Sequence, residues 1–226
     1  MTEGFADSAE YDRMLEQGLK LSGEEKAFYI EGRLALLTRL LPADFQPREV
    51  LDFGCGAGET TRRLATMFPR ARVAGYDIEA GIIAQAAAQE MGPNISFIAA
   101  LDEIRPASFD LCYSNGAFHH IAPAERQGVV GGLFERCRPG GLLAIFENNP
   151  WNPGTRVVMR RIPFDRDASP ISARALRRVL ANGGFEPERP RYLFVFPGFL
   201  RALRPAERWL TGAPLGAQYV VTARRR

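Results

Sequence analysis

The stretch that most constrains this chain is residues 50–64, V-L-D-F-G-C-G-A-G-E-T-T-R-R-L. An apolar run meets Asp52, and Gly54, Gly56 and Gly58 then interrupt it at every second position before a helix-forming pattern begins. Glycine inside an ordered element costs about 0.5–1 kcal/mol against alanine. Three glycines this close together mark a sharp bend, or a place where another molecule must come close to the main chain. The plainer alternative is a tight strand-to-helix turn with no ligand.

Strand and helix signals alternate on both sides of this loop. Val50 to Phe53, Arg72 to Tyr76, Ile95 to Ala99, Phe109 to Ser114 and Leu142 to Glu147 read as strands. Helical patterns lie between them: Glu59 to Phe68, an alanine-rich run from about Glu79 to Met91, and Pro123 to Cys137. Pro139-Gly140-Gly141 reads as a turn. Ser172 is placed to cap a helix ending near Leu180, and Tyr192 to Phe196 and Gln218 to Ala223 are the last strands. Residues 8–41 read as helices, with Ile30, Leu34, Leu37 and Leu41 on one face and Pro42 as the stop. Such alternation implies a parallel sheet covered on both faces. The final two strands lack a regular helix between them and are expected to pair antiparallel.

Composition narrows the class. The 226 residues suit one domain and show ordinary globular usage, 46% hydrophobic and 24% charged. The net charge of +3 is small and scattered, with Lys20 and Lys26 the only lysines, which argues against a nucleic-acid surface. Cys55, Cys112 and Cys137 form no C-x-x-C pair, so reduced thiols in the cytoplasm is the plain reading. The first residues are polar and acidic, unlike a secretory signal, and no run reaches the ~18 apolar residues of a membrane span.

The glycine spacing separates two cofactor classes. A dinucleotide loop wants G-x-G-x-x-G, but the third position here is Glu59, whose charge would repel a pyrophosphate. The pattern from Asp52 is D-x-G-x-G-x-G, which resembles motif I of the class I S-adenosylmethionine-dependent methyltransferases. V-A-G-Y-D-I, ending strand two at Asp77, is similar to the family's acidic ribose-binding position. F-D-L-C-Y-S-N-G-A-F-H-H-I at 109–121 and R-P-G-G-L-L-A-I-F-E at 138–147 resemble its fourth- and fifth-strand motifs. S-G-E-E-K-A-F-Y-I-E-G-R at 22–33 is similar to helices that cap the cofactor in small-molecule members.

The resemblance implies an α/β fold: a Rossmann-like, seven-stranded, mostly parallel sheet with helices on both faces and an antiparallel last strand. It implies a single domain over 1–226 with a helical cap over 1–42. It implies S-adenosyl-L-methionine as cofactor and S-adenosyl-L-homocysteine as product. Asp52, Gly54, Cys55, Gly56, Gly58, Asp77 and Ile78 are then cofactor residues, with Asn115 and Gly116 at the methionyl part and Phe118 beside the adenosine. The family's acidic adenine contact falls at Leu101, so either Asp102 takes it one residue late or the backbone of Ala100 and Leu101 does.

Three residues are candidates for proton transfer. His119 and His120 are the only histidines, and an unperturbed imidazole titrates near neutrality. Adjacent residues in a turn point apart, so one of the two is expected to face the pocket, with His120 slightly ahead. Glu147 ends strand five as a third candidate base, or as a carboxylate capping a loop. Segments 148–171 and 197–216 fit no core element and read as substrate lids, with Asn148, Trp151 and Arg156 as candidate acceptor contacts. Apolar residues interleaved with arginines in 197–210 suit a substrate cap or a membrane surface, the cap being preferred. No acidic set suits a metal. The expected activity is methyl transfer to a small molecule in biosynthesis, at oxygen before carbon or nitrogen, by a monomer or homodimer. The alternative is a protein on the same fold that binds the cofactor without methylating, as a cyclase or a ligand carrier.

Overall fold

A computed structural model describes residues 23–89, 92–162 and 168–226. In chain order the elements are α1 (Lys26–Leu40), β1 (Glu49–Phe53), α2 (Glu59–Met67), β2 (Arg72–Tyr76), α3 (Ala80–Ala88), β3 (Ile95–Ile98), β4 (Phe109–Asn115), α4 (Arg126–Arg136) and β5 (Cys137–Asn148). They continue as α5 (Pro153–Arg161), α6 (Ala173–Asn182), β6 (Phe185–Pro187), β7 (Arg191–Leu193), α7 (Glu207–Leu210) and β8 (Gln218–Arg225).

The strands form one sheet in the order β3-β2-β1-β4-β5-β8-β6, with β7 also on β8. The first five strands are parallel, and β8 runs antiparallel to β5 from Leu142↔Arg224 to Asn148↔Gln218. The chain reverses its direction of travel across the sheet between β1 and β4. That switch point is where ligands sit in open α/β sheets.

Side-chain alternation divides the core into two layers. Leu51, Cys112, Leu143 and Val221 face one cluster with Leu133 of α4 and Leu176 and Leu180 of α6. Val50, Leu111, Ala144 and Val220 face the other with Leu37 of α1 and Leu64 of α2. Both faces are covered, so the central strands are largely apolar, with Asp52, Asp110 and Ser114 as buried polar exceptions.

Several local expectations shift. The sheet has eight strands, not seven. The sequence reading held one strand at Tyr192 to Phe196, but β7 stops at Leu193 because Phe194 turns to φ +62°, where an extended strand cannot continue. The extra strand, β6, pairs with the far end of β8. Pro139-Gly140-Gly141 lies within β5, and the irregularity it causes is a register shift opposite Phe109 and Leu111. Ser172 does cap α6, accepting a hydrogen bond from the Ala175 N–H at 3.3 Å. Of the expected cap over 1–42, residues 1–22 lie outside the described residues, as do Phe164, Asp165, Arg166 and Asp167 in segment 148–171. That segment contains α5, and 197–216 contains a 3-10 stretch, Gly198–Ala206, followed by α7.

Candidate active site

The glycine loop has the geometry its composition demands. Gly54, Gly56 and Gly58 all have positive φ, at +74°, +52° and +78°. A Cβ on Gly54 would stand 2.6 Å from that of Ala117, and one on Gly58 would stand 2.4 Å from the Phe97 ring. A Cβ on Gly56 would meet nothing within 4 Å, so the main chain is open to a cavity there. Asp77 holds the loop: its Oδ2 accepts from Gly56 N–H at 2.9 Å and its Oδ1 from Glu79 N–H at 3.1 Å.

The cavity has a volume of about 680 Å³ at the carboxyl ends of β1 and β4. Asp52, Gly54, Cys55, Gly56, Asn115 and Gly116 form one wall. Residues of α1, α5 and the 194–199 segment form the rest, including Arg33, Met159 and Phe194. His119, His120 and Asn148 also line it.

Asp52 is buried and accepts from Thr61 Oγ1 at 2.7 Å. Burial pushes its carboxyl up to about 7; the Thr61 bond pulls back, the Asp77 charge adds to the rise, and the Arg33 charge opposes it. Arg33 is also buried, and its Nε has no hydrogen-bond partner. Its Nη1 donates to Gln218 Oε1 at 3.2 Å, and Gln218 Nε2 donates to Asn148 Oδ1 at 3.2 Å, so one polar chain runs along the wall. Asn115 Oδ1 is buried without a partner as well. Unsatisfied buried polar atoms cost about 1–3 kcal/mol each, and a ligand bound in this cavity would satisfy these two.

The two histidines do not point apart as expected. Both line the cavity, with ring centroids 4.2 Å apart. His119 is buried and its Nδ1 lies 2.7 Å from Glu147 Oε2. Glu147 is itself buried, and its other oxygen accepts from Phe118 N–H at 2.8 Å. A carboxylate only accepts, so the proton of this pair sits on Nδ1 and Nε2 is the basic nitrogen. His120 is exposed.

Other expected site residues fall elsewhere. Phe118 is fully buried and packs on Phe53, with centroids 6.4 Å apart, so it is not at the cavity surface. Glu147 is behind His119 and does not line the cavity. Trp151 and Arg156 are exposed and lie outside the cavity lining. Asp77 is half-buried beside Gly56, and Ile78 next to it is 77% exposed. Ala100 and Leu101 start a 3-10 turn, and Leu101 O accepts from Arg136 Nε at 2.8 Å. Arg33, Gln218 and Thr61 were missed. Arg33 had a readable signal, because it stands three residues after Ile30 and four before Leu37, on the buried stripe of α1.

Comparison with known proteins agrees with this architecture. The methyltransferase domain family matches residues 50–141. The chain is 42% identical over 97 residues to trans-aconitate 2-methyltransferase of Deinococcus radiodurans, covering 43% of this chain and 36% of that one. It is 29% identical to the Klebsiella pneumoniae enzyme of that name, covering 80% and 71%. The chain spans between 36% and 47% of the length of the Deinococcus radiodurans enzyme and its two relatives from Rhodopseudomonas palustris. Among solved structures, an S-adenosylmethionine-dependent methyltransferase from Mesorhizobium loti superposes with a TM-score of 0.62 at 21% identity, covering 87% of this chain and all of that one. The [4+2]-cyclase SpnF superposes with a TM-score of 0.60 at 16% identity, covering 86% and 80%. The fold alone therefore does not specify the reaction. Over residues 50–141 the chain is thus similar to the methyltransferase domain family, and its strand order gives it the fold of the S-adenosylmethionine-dependent methyltransferases it superposes on.

Proposed function

We propose that the chain binds S-adenosylmethionine along the glycine loop and methylates an oxygen atom of a small acceptor held in the cavity. The residues present fit this cofactor. Its methionyl end is a zwitterion. Asp52 and the unpartnered Asn115 Oδ1 suit an ammonium, and the buried Arg33 suits a carboxylate. Asp77 uses one lone pair of each oxygen on the loop, and the others suit two ribose hydroxyls. The exposed Ile78 gives an apolar face beside them for the adenine. When bound, the cofactor supplies a methyl group activated by a sulfonium.

The protein's share of the chemistry is positioning and proton removal. With Nδ1 turned to the buried Glu147, this reading gives the base's work to Nε2. In this reading Nε2 accepts the proton of an acceptor hydroxyl as the oxygen gains its methyl group, and later returns that proton to solvent. Glu147 is a positioning residue that fixes the ring and its tautomer. The observation that carries the reading is the 2.7 Å His119–Glu147 pair at the wall of the cavity that Asp52 and Arg33 also line.

The acceptor is read as apolar, not as the small acid named in the relatives. Trans-aconitate carries three carboxylates, yet the lining cations are engaged: Lys26 pairs with Glu59 at 2.9 Å, and Arg204 with Glu24 at 2.6 Å. Arg33 is assigned to the cofactor, and among the described residues the exposed Arg161 is the lining cation left. Among the described residues, Asn148, Met159 and Ile162 of the first segment, 148–171, and Pro197, Phe199 and Arg204 of the second, 197–216, line this region. With methyl-labelled cofactor, the chain is expected to label an apolar hydroxylated compound in a metabolite extract and to leave trans-aconitate nearly unlabelled. Tight cofactor binding with no labelled product would favour a cyclase-like protein.

The same reading sets a pH dependence. The folded chain holds the Asp52 proton up to about 7, against 3.8 for the ordinary group. Raising the pH from about 4 to 7 therefore costs the ligand-free chain stability. An ammonium beside Asp52 favours its ionised form, so binding releases that proton. Cofactor affinity should rise from pH 5.5 to 7, by at most about tenfold per pH unit. Asp52→Asn should flatten the slope, as measured by calorimetry across the range.

A further inference from the structure

The acceptor end of the cavity opens between two segments whose surfaces match each other in an unusual way. Val157 of α5 and Phe199 of the 3-10 stretch line the cavity and are also exposed, Phe199 at 83%. Trp151, Leu203, Trp209 and Leu215 continue the exposed apolar surface outward, with both tryptophans more than 70% exposed. The segments are tied together: Asn152 Nδ2 donates to Leu215 O at 2.7 Å, and Asn149 Nδ2 to Gly216 O at 2.8 Å. The rim is therefore one surface, continuous with the cavity.

Its charge is as one-sided as its apolarity. Residues 149–162 and 197–216 contain Arg156, Arg160, Arg161, Arg201, Arg204 and Arg208 and a single acid, Glu207. Glu207 is engaged in the fold, accepting from Phe196 N–H at 2.8 Å. These two segments thus carry +5, of which Arg204 is offset by Glu24 at 2.6 Å, whereas the whole chain carries +3. All of these arginines except Arg204 are exposed.

We propose that this rim docks on an anionic lipid bilayer, and that the acceptor is a lipophilic hydroxyl compound passing from the bilayer into the cavity. The first half stands on the rim itself; the second rests on the methyl-transfer reading above. Such a surface satisfies both features of the rim at once. Tryptophan, phenylalanine and leucine reach the boundary between headgroups and acyl chains, and guanidinium groups stay at the phosphates. Each arginine near an anionic leaflet adds attraction that salt screens. A protein partner or a second copy would have to bring a concentrated acidic apolar face to match it.

The chain contains two tryptophans, Trp151 and Trp209, and both are in the rim, so intrinsic fluorescence reads the contact directly. Full-length protein is titrated with vesicles of phosphatidylcholine alone, and of phosphatidylcholine containing phosphatidylglycerol. The expected result is co-flotation with the anionic vesicles, with a blue-shifted emission quenched by lipids brominated on the acyl chain. Binding should weaken at least about tenfold in neutral vesicles, at high salt, or in the double variant Arg201→Glu/Arg208→Glu. Trp209→Ser should weaken binding while leaving the melting temperature and cofactor affinity unchanged. The proposal is overturned by an absence of flotation at low salt, or by flotation with unchanged tryptophan emission. Emission that is already blue-shifted without lipid also overturns it, since the rim would then be covered before any bilayer is present. Vesicle binding is measured without turnover. A chain that floats but transfers no methyl group sinks the earlier reading and leaves the docking surface standing.

Discussion

Replacing His119 with alanine is expected to slow methyl transfer about 10²–10⁴-fold, the usual worth of a positioned base. Cofactor affinity should stay within about threefold, because the substitution removes a group aimed at the acceptor and leaves the loop intact. Glu147→Gln makes the sharper test. Glutamine can keep the Phe118 N–H bond, but its amide no longer enforces the Nδ1-protonated tautomer. It should cost at least about tenfold in kcat with little change in KM, and the lost rate should follow an altered pH profile. A His119→Ala loss below tenfold would leave that histidine a structural residue. In that case His120→Ala should be the damaging change, as the order of the two in the sequence reading had it.

Asp77→Ala is expected to weaken cofactor binding by two orders of magnitude. Each charge-assisted hydrogen bond is worth about 1.5–3 kcal/mol, and the alanine strands two ribose hydroxyls. It also releases Gly56 N–H and Glu79 N–H, the bonds that hold the loop in shape. Calorimetry with S-adenosylhomocysteine measures the loss. Asp77→Asn keeps one acceptor oxygen and should recover part of the affinity. A change under threefold in the alanine variant would take Asp77 out of the binding site.

The parts of this molecule that were readable in its sequence are those fixed by local backbone chemistry. Gly54 and Gly58 had to be glycine because a side chain there would collide with Ala117 or Phe97 at positive φ. Asp77 was singled out by the family resemblance at the end of strand two, and the structure places its carboxylate on the Gly56 and Glu79 N–H groups. Phe118 was misjudged because an aromatic residue near a cofactor loop suits a ligand surface and a core equally well, and only packing against Phe53 decides. The grip of Glu147 on His119 joins residues 28 positions apart, and no local pattern encodes it. β6 and β7 are three residues each, too short to show alternation, and they exist because β8 offers an edge to both. Arg33 was hidden by its own stripe. A charge at a buried position reads as a break in the pattern until a cavity is seen in front of it.

The roles of His119, Asp52 and Arg33, and the acceptor class, all depend on where the cofactor binds. The direct measurement is calorimetric titration of the chain with S-adenosylhomocysteine, repeated with NAD. The account predicts one equivalent of S-adenosylhomocysteine bound, with a dissociation constant between about 1 μM and 1 mM, weakened in Asp77→Ala and Arg33→Ala, and no heat from NAD. No binding of S-adenosylhomocysteine at millimolar concentration, or displacement of it by NAD, would contradict the account.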